Sequence, residues 1–345
     1  MSQRVAVVLF NLGGPESIDT VKPFLVNLFN DPAIIRLPWP LRPLLARLIA
    51  SRRAAVAEGI YRQLGGGSPL LANTQAQADA LTDALGEPET MRVFVAMRHW
   101  RPRAIETARA VAAFTPHQVV LLPLYPQFST TTTRSSMTEW HRAARTVGLS
   151  APTRQVCCYP DDAGFVASTA NHVRAALREQ GHAGRARVLF SAHGLPKRVV
   201  AAGDPYQWQV ERTVAAVVAT VGIPDLDWTV CYQSRVGPLD WIGPSTDAEI
   251  RRAGADGVPV VVCPIAFVSE HSETLVELDI EYRHLAAQAG VPQYVRVPTV
   301  GCDPLFIEGL ARLVREARAR DPGICSGARR RLCPTPMDCA MARAA

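Results

Sequence analysis

Val258–His284 reads VPVVVCPIAFVSEHSETLVELDIEYRH. Its opening run, Val258–Ile265, is apolar and rich in β-branched residues, as in a strand buried on both faces of a parallel sheet. The part that follows has helical periodicity. At 100° per residue, Glu270, Glu273, Glu277, Glu281 and His284 fall within about 80° of one another, and Leu275, Leu278, Tyr282 and Leu285 fall on another face. A buried strand running into a helix is the alternation from which doubly wound α/β folds are built.

The same alternation recurs along the chain. Strand-like runs fall at Arg4–Asn11, Arg92–Met97, Gln118–Leu124 and Arg154–Tyr159, and again at Ala186–Ala192, Trp228–Tyr232, Val258–Ile265 and Gln293–Val297. Helical patterns separate most of them. Four strands followed by four predict an α/β fold of two similar lobes, each a four-stranded parallel sheet flanked by helices. The N-terminal lobe is expected over 1–160 and a crossover helical region over 161–185. The C-terminal lobe is expected over 186–320 and a cysteine-containing extension over 321–345. No internal repeat is visible in the sequence itself.

Polar residues collect just after these strands. They include Asn11–Pro15, Arg98-His99-Trp100, Tyr125–Ser129, His193–Pro196, Gln233–Pro238 and Phe267–His271. In open parallel sheets, ligands bind beyond the carboxyl ends of the strands. The expected site is therefore a cleft between the two lobes.

Four carboxylates at i, i+3 and i+4 spacing repel one another and raise the cost of forming the helix after Val258–Ile265. Either that face is solvated, or a cation or a moving proton offsets its charge. His193, in FSAHGLP, is a loop histidine that either makes a structural hydrogen bond or accepts a proton near neutral pH. Gly65–Pro69 lacks the Gly-Lys-Ser/Thr ending of a phosphate loop, and no G-x-S-x-G elbow occurs. Ser129–Ser136, STTTTRSS, offers hydroxyls and an arginine to an anionic group, or simply caps a helix.

The chain has 345 residues and a net charge of +6 without a basic patch; its longest basic run is Arg329–Arg331. This argues against a nucleic-acid-binding module. No apolar stretch reaches transmembrane length, and the N-terminus lacks a signal-peptide cleavage site. A cytoplasmic setting is expected, where structural disulfides are rare. Leu37–Arg53, apolar and then basic, is either a core helix or an exposed lip that touches a membrane or an apolar substrate. Of the eight cysteines, Cys231, Cys263 and Cys302 read as buried core. Cys325, Cys333 and Cys339 form a C-x7-C-x5-C tail without C-x-x-C. They are either free thiols or, with a fourth from the Cys157-Cys158 pair, ligands of a [2Fe–2S] centre.

Taken in order, LFNLGGPES (Leu9–Ser17), YRQLGGGSPL (Tyr61–Leu70), LPLYPQFSTTTT (Leu122–Thr133), FSAHGLP (Phe190–Pro196), YQSRVGPLDWIGPST (Tyr232–Thr246) and IAFVSEHSETLVELDIEY (Ile265–Tyr282) resemble the ferrochelatases. These enzymes insert Fe2+ into a porphyrin in haem synthesis. The resemblance implies two Rossmann-like lobes and protoporphyrin IX as substrate. It implies His193 as the pyrrole proton acceptor, Glu273 as its partner carboxylate, and both as contacts of the incoming Fe2+. Glu277 and Glu281 would continue an acidic path for protons or metal, on a helix with a π-type segment. Glu270 joins that path where relatives often carry aspartate. Arg62, His99, Tyr125, Trp241 and Phe267 would bind the porphyrin; some relatives have tyrosine at the position of His99. Related chelatases acting on coproporphyrin or cobalt, and a non-enzymatic iron–sulfur or haem-binding protein, are the alternatives.

The tail resembles the [2Fe–2S]-binding extension of some ferrochelatases, but Pro336 stands in place of their middle cysteine. The implied ligands are Cys158, Cys325, Cys333 and Cys339, with Cys157 the rival to Cys158. The resemblance also leaves a homodimer open, and peripheral contact with the inner face of a membrane.

Overall fold

The structure is a computed structural model and describes residues 3–179, 186–235 and 237–338. Its strands are β1 (Val5–Asn11), β2 (Met91–Met97), β3 (Gln118–Pro123), β4 (Thr153–Val156), β5 (Arg187–His193), β6 (Trp228–Gln233), β7 (Val260–Pro264), β8 (Tyr294–Arg296) and β9 (Gly323–Cys325). They form two sheets, in the orders β2-β1-β3-β4-β9 and β6-β5-β7-β8. Every pairing is parallel. The first four strands of each sheet follow one order, with the earliest strand lying between the second and the third. The repeat absent from the sequence is therefore present in the topology.

The first sheet departs from expectation by its fifth strand. Gly323–Cys325, in what reads as an extension, pairs with β4 so that Cys325 stands opposite Val156. A three-residue Gly-Ile-Cys strand carries no periodicity to read; its partner decides its conformation.

The described residues fall into two compact units. One comprises residues 3–158 with Leu310–Arg331, and the other Tyr159–Gly309 with residues 332–338. In the first unit all seven residues of β1 are buried, as a central parallel strand requires. Phe10 and Leu121 pack against Ala104, Ala108 and Trp140. Phe10 meets Trp140 edge-on at 6.0 Å.

In the second unit, alternate strand residues face opposite ways. Val188, Phe190, Val261 and Cys263 pack on Val210, Val214 and Val217 of helix Tyr206–Val221. Leu189, Cys231, Val260 and Val262 pack on Ile250, Leu278 and Ala286. Helix Thr246–Asp256 approaches the following layer closely: a Cβ at Gly254 would stand 2.0 Å from the Ala289 carbonyl oxygen. Cys231 and Cys263 are core residues, but Cys302 is exposed, on the turn before helix Pro304–Arg318. The apolar strand before it ends at β8, several residues too early to bury it.

Of the two readings of Leu37–Arg53, the exposed one holds. Helix Leu41–Gln63 buries only Ala46, Ala50, Ala54 and Tyr61. Trp39, Leu41, Leu44 and Leu48 stay in solvent, Trp39 at 77 % exposure. Over its first three turns small residues face the protein and large ones face outward, the reverse of a core helix. No helix among the described residues is long and apolar enough to cross a membrane.

Candidate active site

In the second sheet, β5 lies between β6 and β7, so the chain winds away on opposite sides of it. That is the switch point at which open α/β sheets place ligands. His193 is the last residue of β5, and its cross-strand partner is Gln233, the last residue of β6. Beyond β7 the Ile265 amide donates to the Ser191 carbonyl at 3.0 Å, which keeps the outgoing loop on β5. The loop leads into a π-helix over Glu273–Glu281, not the α-helix that the periodicity predicts. The Tyr282 amide bonds back five residues, to the Glu277 carbonyl. An i→i+5 helix holds more residues per turn, so residues four apart still share a side.

This path brings His193 Nδ1 to 2.9 Å from Glu273 Oε2. His271 Nε2 stands 3.8 Å from the same oxygen. The His271 ring lies against Phe267, centroids 4.8 Å apart, with Nδ1 3.2 Å from the Ser269 carbonyl. The His193 side chain keeps 41 % of its surface exposed, enough for the ring to meet a ligand. Trp241 is held to the loop after His193 by a bridge to Pro196. Gly194 admits this packing, because a Cβ there would crowd the Gln233 carbonyl at 2.9 Å and the Trp241 ring at 3.3 Å.

The carboxylates along the π-helix differ in environment. Glu277 accepts hydrogen bonds from the Ser234 amide (2.7 Å) and hydroxyl (2.5 Å), Gln233 Nε2 (3.2 Å) and the Tyr282 hydroxyl (3.2 Å). Ser234 reaches it twice from a left-handed conformation, φ 57°. Glu277 also lines a pocket of about 300 Å3 with Tyr232, Ser234, Arg235, Asp247 and Tyr282. Glu281, at the end of the π-helix, is exposed, as is His284 beyond it. Glu270 does not share the contacts of Glu273 and Glu277. It accepts from Arg296 Nη1 (2.8 Å), the Thr299 amide (3.0 Å) and the Thr274 hydroxyl, which fastens the loop to β8.

Proton affinities diverge accordingly. Burial of His193 opposes its charge, but the charge and hydrogen bond of Glu273 outweigh it, and its pKa is raised. Burial of Glu273 favours the neutral acid, yet His193 and then His271 hold it well below the usual carboxylate range. Burial, and then the charge of Glu273, raise the pKa of Glu277 against the bonds from Ser234. The sequence pattern treats the three glutamates alike; their environments do not.

The first unit holds the other predicted contacts. Arg62 is exposed and pairs with Glu58 at 3.1 Å. Tyr125 keeps its hydroxyl buried without a hydrogen bond, and burial pushes the phenol far above its ordinary pKa. His99 differs from expectation. It has no exposed surface, and neither ring nitrogen makes a hydrogen bond. Its amide donates to the Leu12 carbonyl at 2.9 Å, and its ring is turned inward, 3.8 Å from Asp31. Burial, and then the charges of Arg98 and Arg103, hold it neutral. As placed, His99 holds the loop from beneath through its amide.

Among the expected cluster ligands, Cys158 and Cys333 are buried and Cys325 is half-buried. The Cys157 amide donates to the Cys325 carbonyl at 2.8 Å, and the Cys157 and Cys158 sulfurs are 3.5 Å apart. Gln209 Nε2 donates to Cys333 Sγ at 3.2 Å. Cys339 lies outside the described residues. Among the described residues, no three His, Cys, Asp or Glu side chains are grouped to hold a metal ion. The donors to Glu277, namely Gln233, Ser234 and Tyr282, are not singled out by the sequence. Gln233 and Ser234 show there as a polar pair at the end of a strand, and Tyr282 as one of the residues on the helix face away from the glutamates.

A profile of the ferrochelatase family matches residues 4–318. A ferrochelatase of Caulobacter vibrioides is 54 % identical over 331 residues, 95 % of this chain and 94 % of that protein. A ferrochelatase of Phenylobacterium zucineum is 52 % identical over 335 residues, covering 94 % and 96 %. In fold, the chain resembles SirB from Bacillus subtilis, solved with Fe3+, with a TM-score of 0.54 and 14 % identity over 92 % of this chain and 96 % of that one.

The His193–Glu273 contact makes a direct prediction. Titration of the His193 ring by NMR should give a pKa above its ordinary 6.5. Glu273→Gln should bring it down, because burial then acts with little opposition. An unchanged value would mean that the pair does not govern the ring.

Proposed function

The chain belongs to the ferrochelatase family and inserts Fe2+ into a porphyrin in haem synthesis, and we propose that it acts on protoporphyrin IX, with His193 taking up pyrrole protons. The observation that carries this reading is the His193–Glu273 pair at the switch point of the second sheet. Insertion exchanges two pyrrole protons for one dication, so the site must remove protons as metal enters. His193 Nδ1 faces Glu273, which leaves Nε2 to accept a proton from a pyrrole N–H. Glu273 remains anionic and stabilises the imidazolium so formed, as an oriented carboxylate does for a catalytic base.

Glu277 is the next acceptor, with its raised proton affinity, and Glu281 continues towards solvent. Fe2+, the substrate, meets His193 and Glu273. Trp241 and Phe267 line the macrocycle site, and a site that bends the ring exposes nitrogen lone pairs a flat ring hides. The exposed Trp39–Leu48 face favours protoporphyrin: a substrate of low solubility suits transfer at a membrane surface, where such a face inserts.

A [2Fe–2S] centre is the second part of the proposal. Four thiolates suffice for it, and β9 carries Cys325 against the backbone of Cys157, beside Cys158. Cys158, Cys325, Cys333 and Cys339 are the proposed ligands, with Cys157 in place of Cys158 the variant arrangement. When bound, such a centre supplies a redox-active, stabilising cross-link.

His193→Ala should abolish Fe2+ insertion while protoporphyrin still binds; near-normal turnover would remove His193 from its role. Glu273→Gln should slow turnover about 10²-fold. Because the ring accepts protons only when neutral, turnover should fall as pH drops through its raised pKa, and Glu273→Gln should move that limb to lower pH. Protein purified without air should be coloured and contain iron and sulfide, and Cys339→Ser should bleach it; a colourless native protein under those conditions refutes the cluster. In sedimentation with anionic lipid vesicles, replacing Trp39, Leu41 and Leu44 with serine should release the protein, and undiminished binding would rule out this face as the contact.

A further inference from the structure

We propose that Gln233 is a positioning residue for metal insertion: its side-chain amide, oriented by Ser191 and Thr246, holds the Glu277 carboxylate and the start of the π-helix in register with His193. This rests on the reading of Glu277 as the acceptor next to the His193–Glu273 pair.

The backbone of Gln233 is fixed by the sheet. It is paired with His193 in the β5–β6 register, and its carbonyl accepts from the Gly194 amide at 2.8 Å. Its side chain has no exposed surface. There Oε1 accepts from the Ser191 hydroxyl at 2.8 Å. The two hydrogens of Nε2 meet two acceptors, the Glu273 main-chain oxygen at 3.0 Å and Glu277 Oε2 at 3.2 Å. Both ends of the amide are therefore engaged.

The orientation of that amide follows from what lies behind it. Ser191 Oγ is 2.8 Å from Thr246 Oγ1; with the Ser191 hydrogen given to Gln233, the Thr246 hydroxyl donates across this contact, and Cys231 Sγ lies 3.3 Å from it on the other side. Ser191, Thr246 and Cys231 are fully buried. A flipped amide would set Oε1 against the Glu273 carbonyl and the Glu277 carboxylate. Two buried acceptors would then lose their donor and face a third acceptor. The remaining donors to Glu277 are the Ser234 amide and two hydroxyls that can rotate. With the Ser234 amide that follows it on Oε1, the Gln233 side chain on Oε2 ties the carboxylate to the strand that ends beside His193, so it helps set where Glu277 stands relative to the reacting ring.

Steady-state insertion of Fe2+ into protoporphyrin by the full-length protein tests this. Gln233→Met keeps the side-chain volume and removes the amide. It should lower kcat about tenfold, the effect of one lost hydrogen bond to a charged group, with KM for porphyrin within about twofold. Ser191→Ala, which frees the amide to turn, should lower kcat about threefold. If Gln233 acts through Glu277, adding Gln233→Met to Glu277→Gln should cost less than about twofold more.

A kcat within about twofold of wild type for Gln233→Met, losses that multiply in the double variant, or a loss carried by KM overturns the proposal. Should Gln233→Met fail to fold by circular dichroism, Ser191→Ala alone and combined with Glu277→Gln decides by the same criteria. An impaired Glu277→Gln beside an unaffected Gln233→Met sinks this proposal alone. An unaffected Glu277→Gln sinks the reading of Glu277 on which it rests.

Discussion

The pairing of β5 with β6 on one side and β7 on the other is the constraint on which the site depends. It sets His193 opposite Gln233 and aims the loop after β7 back across the end of β5. Two residues 80 apart in sequence then share a 2.9 Å contact. Shifting one of these strands by a single residue would reverse the face of every side chain on it, moving Gln233 and its partners to the wrong side. The core enforces the register, because Leu189 and Phe190 must each find their own helical layer. Packing that says nothing of chemistry thus determines where the chemistry can occur.

The polar groups at that site are arranged by opposition. A carboxylate buried alone would take up a proton, and an imidazole buried alone would lose one. Placed together, each stabilises the charge of the other, so Glu273 stays ionised and His193 becomes a stronger base. Among the described residues Glu277 has no such cationic partner at hydrogen-bond distance, and it feels the charge of Glu273, so its affinity moves the other way. The π-helix keeps both carboxylates on one side while their surroundings separate their roles. Glu270 shows the limit of reading such a stripe as one unit. Arg296 and the Thr299 amide occupy its carboxylate, and its charge holds a loop in place.

How much of this was legible in the sequence depends on the range of the interaction. Strands buried on both faces write themselves as continuous apolar runs, so eight of the nine strands were readable to within a few residues of their ends. β9 was not, because Gly-Ile-Cys, in a Gly-, Pro- and Arg-rich tail, offers no apolar run to read. His193 and Glu273 were recognised through their motifs, whereas their 2.9 Å contact depends on a register no local window contains. The same holds for Gln233, whose polar side chain after a strand looks like any loop residue until Ser191 and Glu277 are placed around it. His99, a histidine after a strand, reads as a ligand contact, but the turn that follows Arg98 carries its ring inward to Asp31.

The two sheets make the separation of fold from chemistry concrete. Asn11 ends β1 as His193 ends β5, at the same place in the same strand order. Yet Asn11 uses both ends of its amide locally: Nδ2 donates to the Thr74 hydroxyl at 3.0 Å, and Oδ1 accepts from the Leu12 amide at 2.8 Å. His193 turns one nitrogen to Glu273 and keeps much of its ring surface exposed. After β3 the chain enters helix Thr133–Thr146, where Ser135 bonds Asp31 in a closed network with Arg98. After β7 it enters the π-helix, whose first carboxylate, Glu273, meets His193. Topology supplies two equivalent positions, and side chains with unspent hydrogen-bonding capacity make one of them reactive.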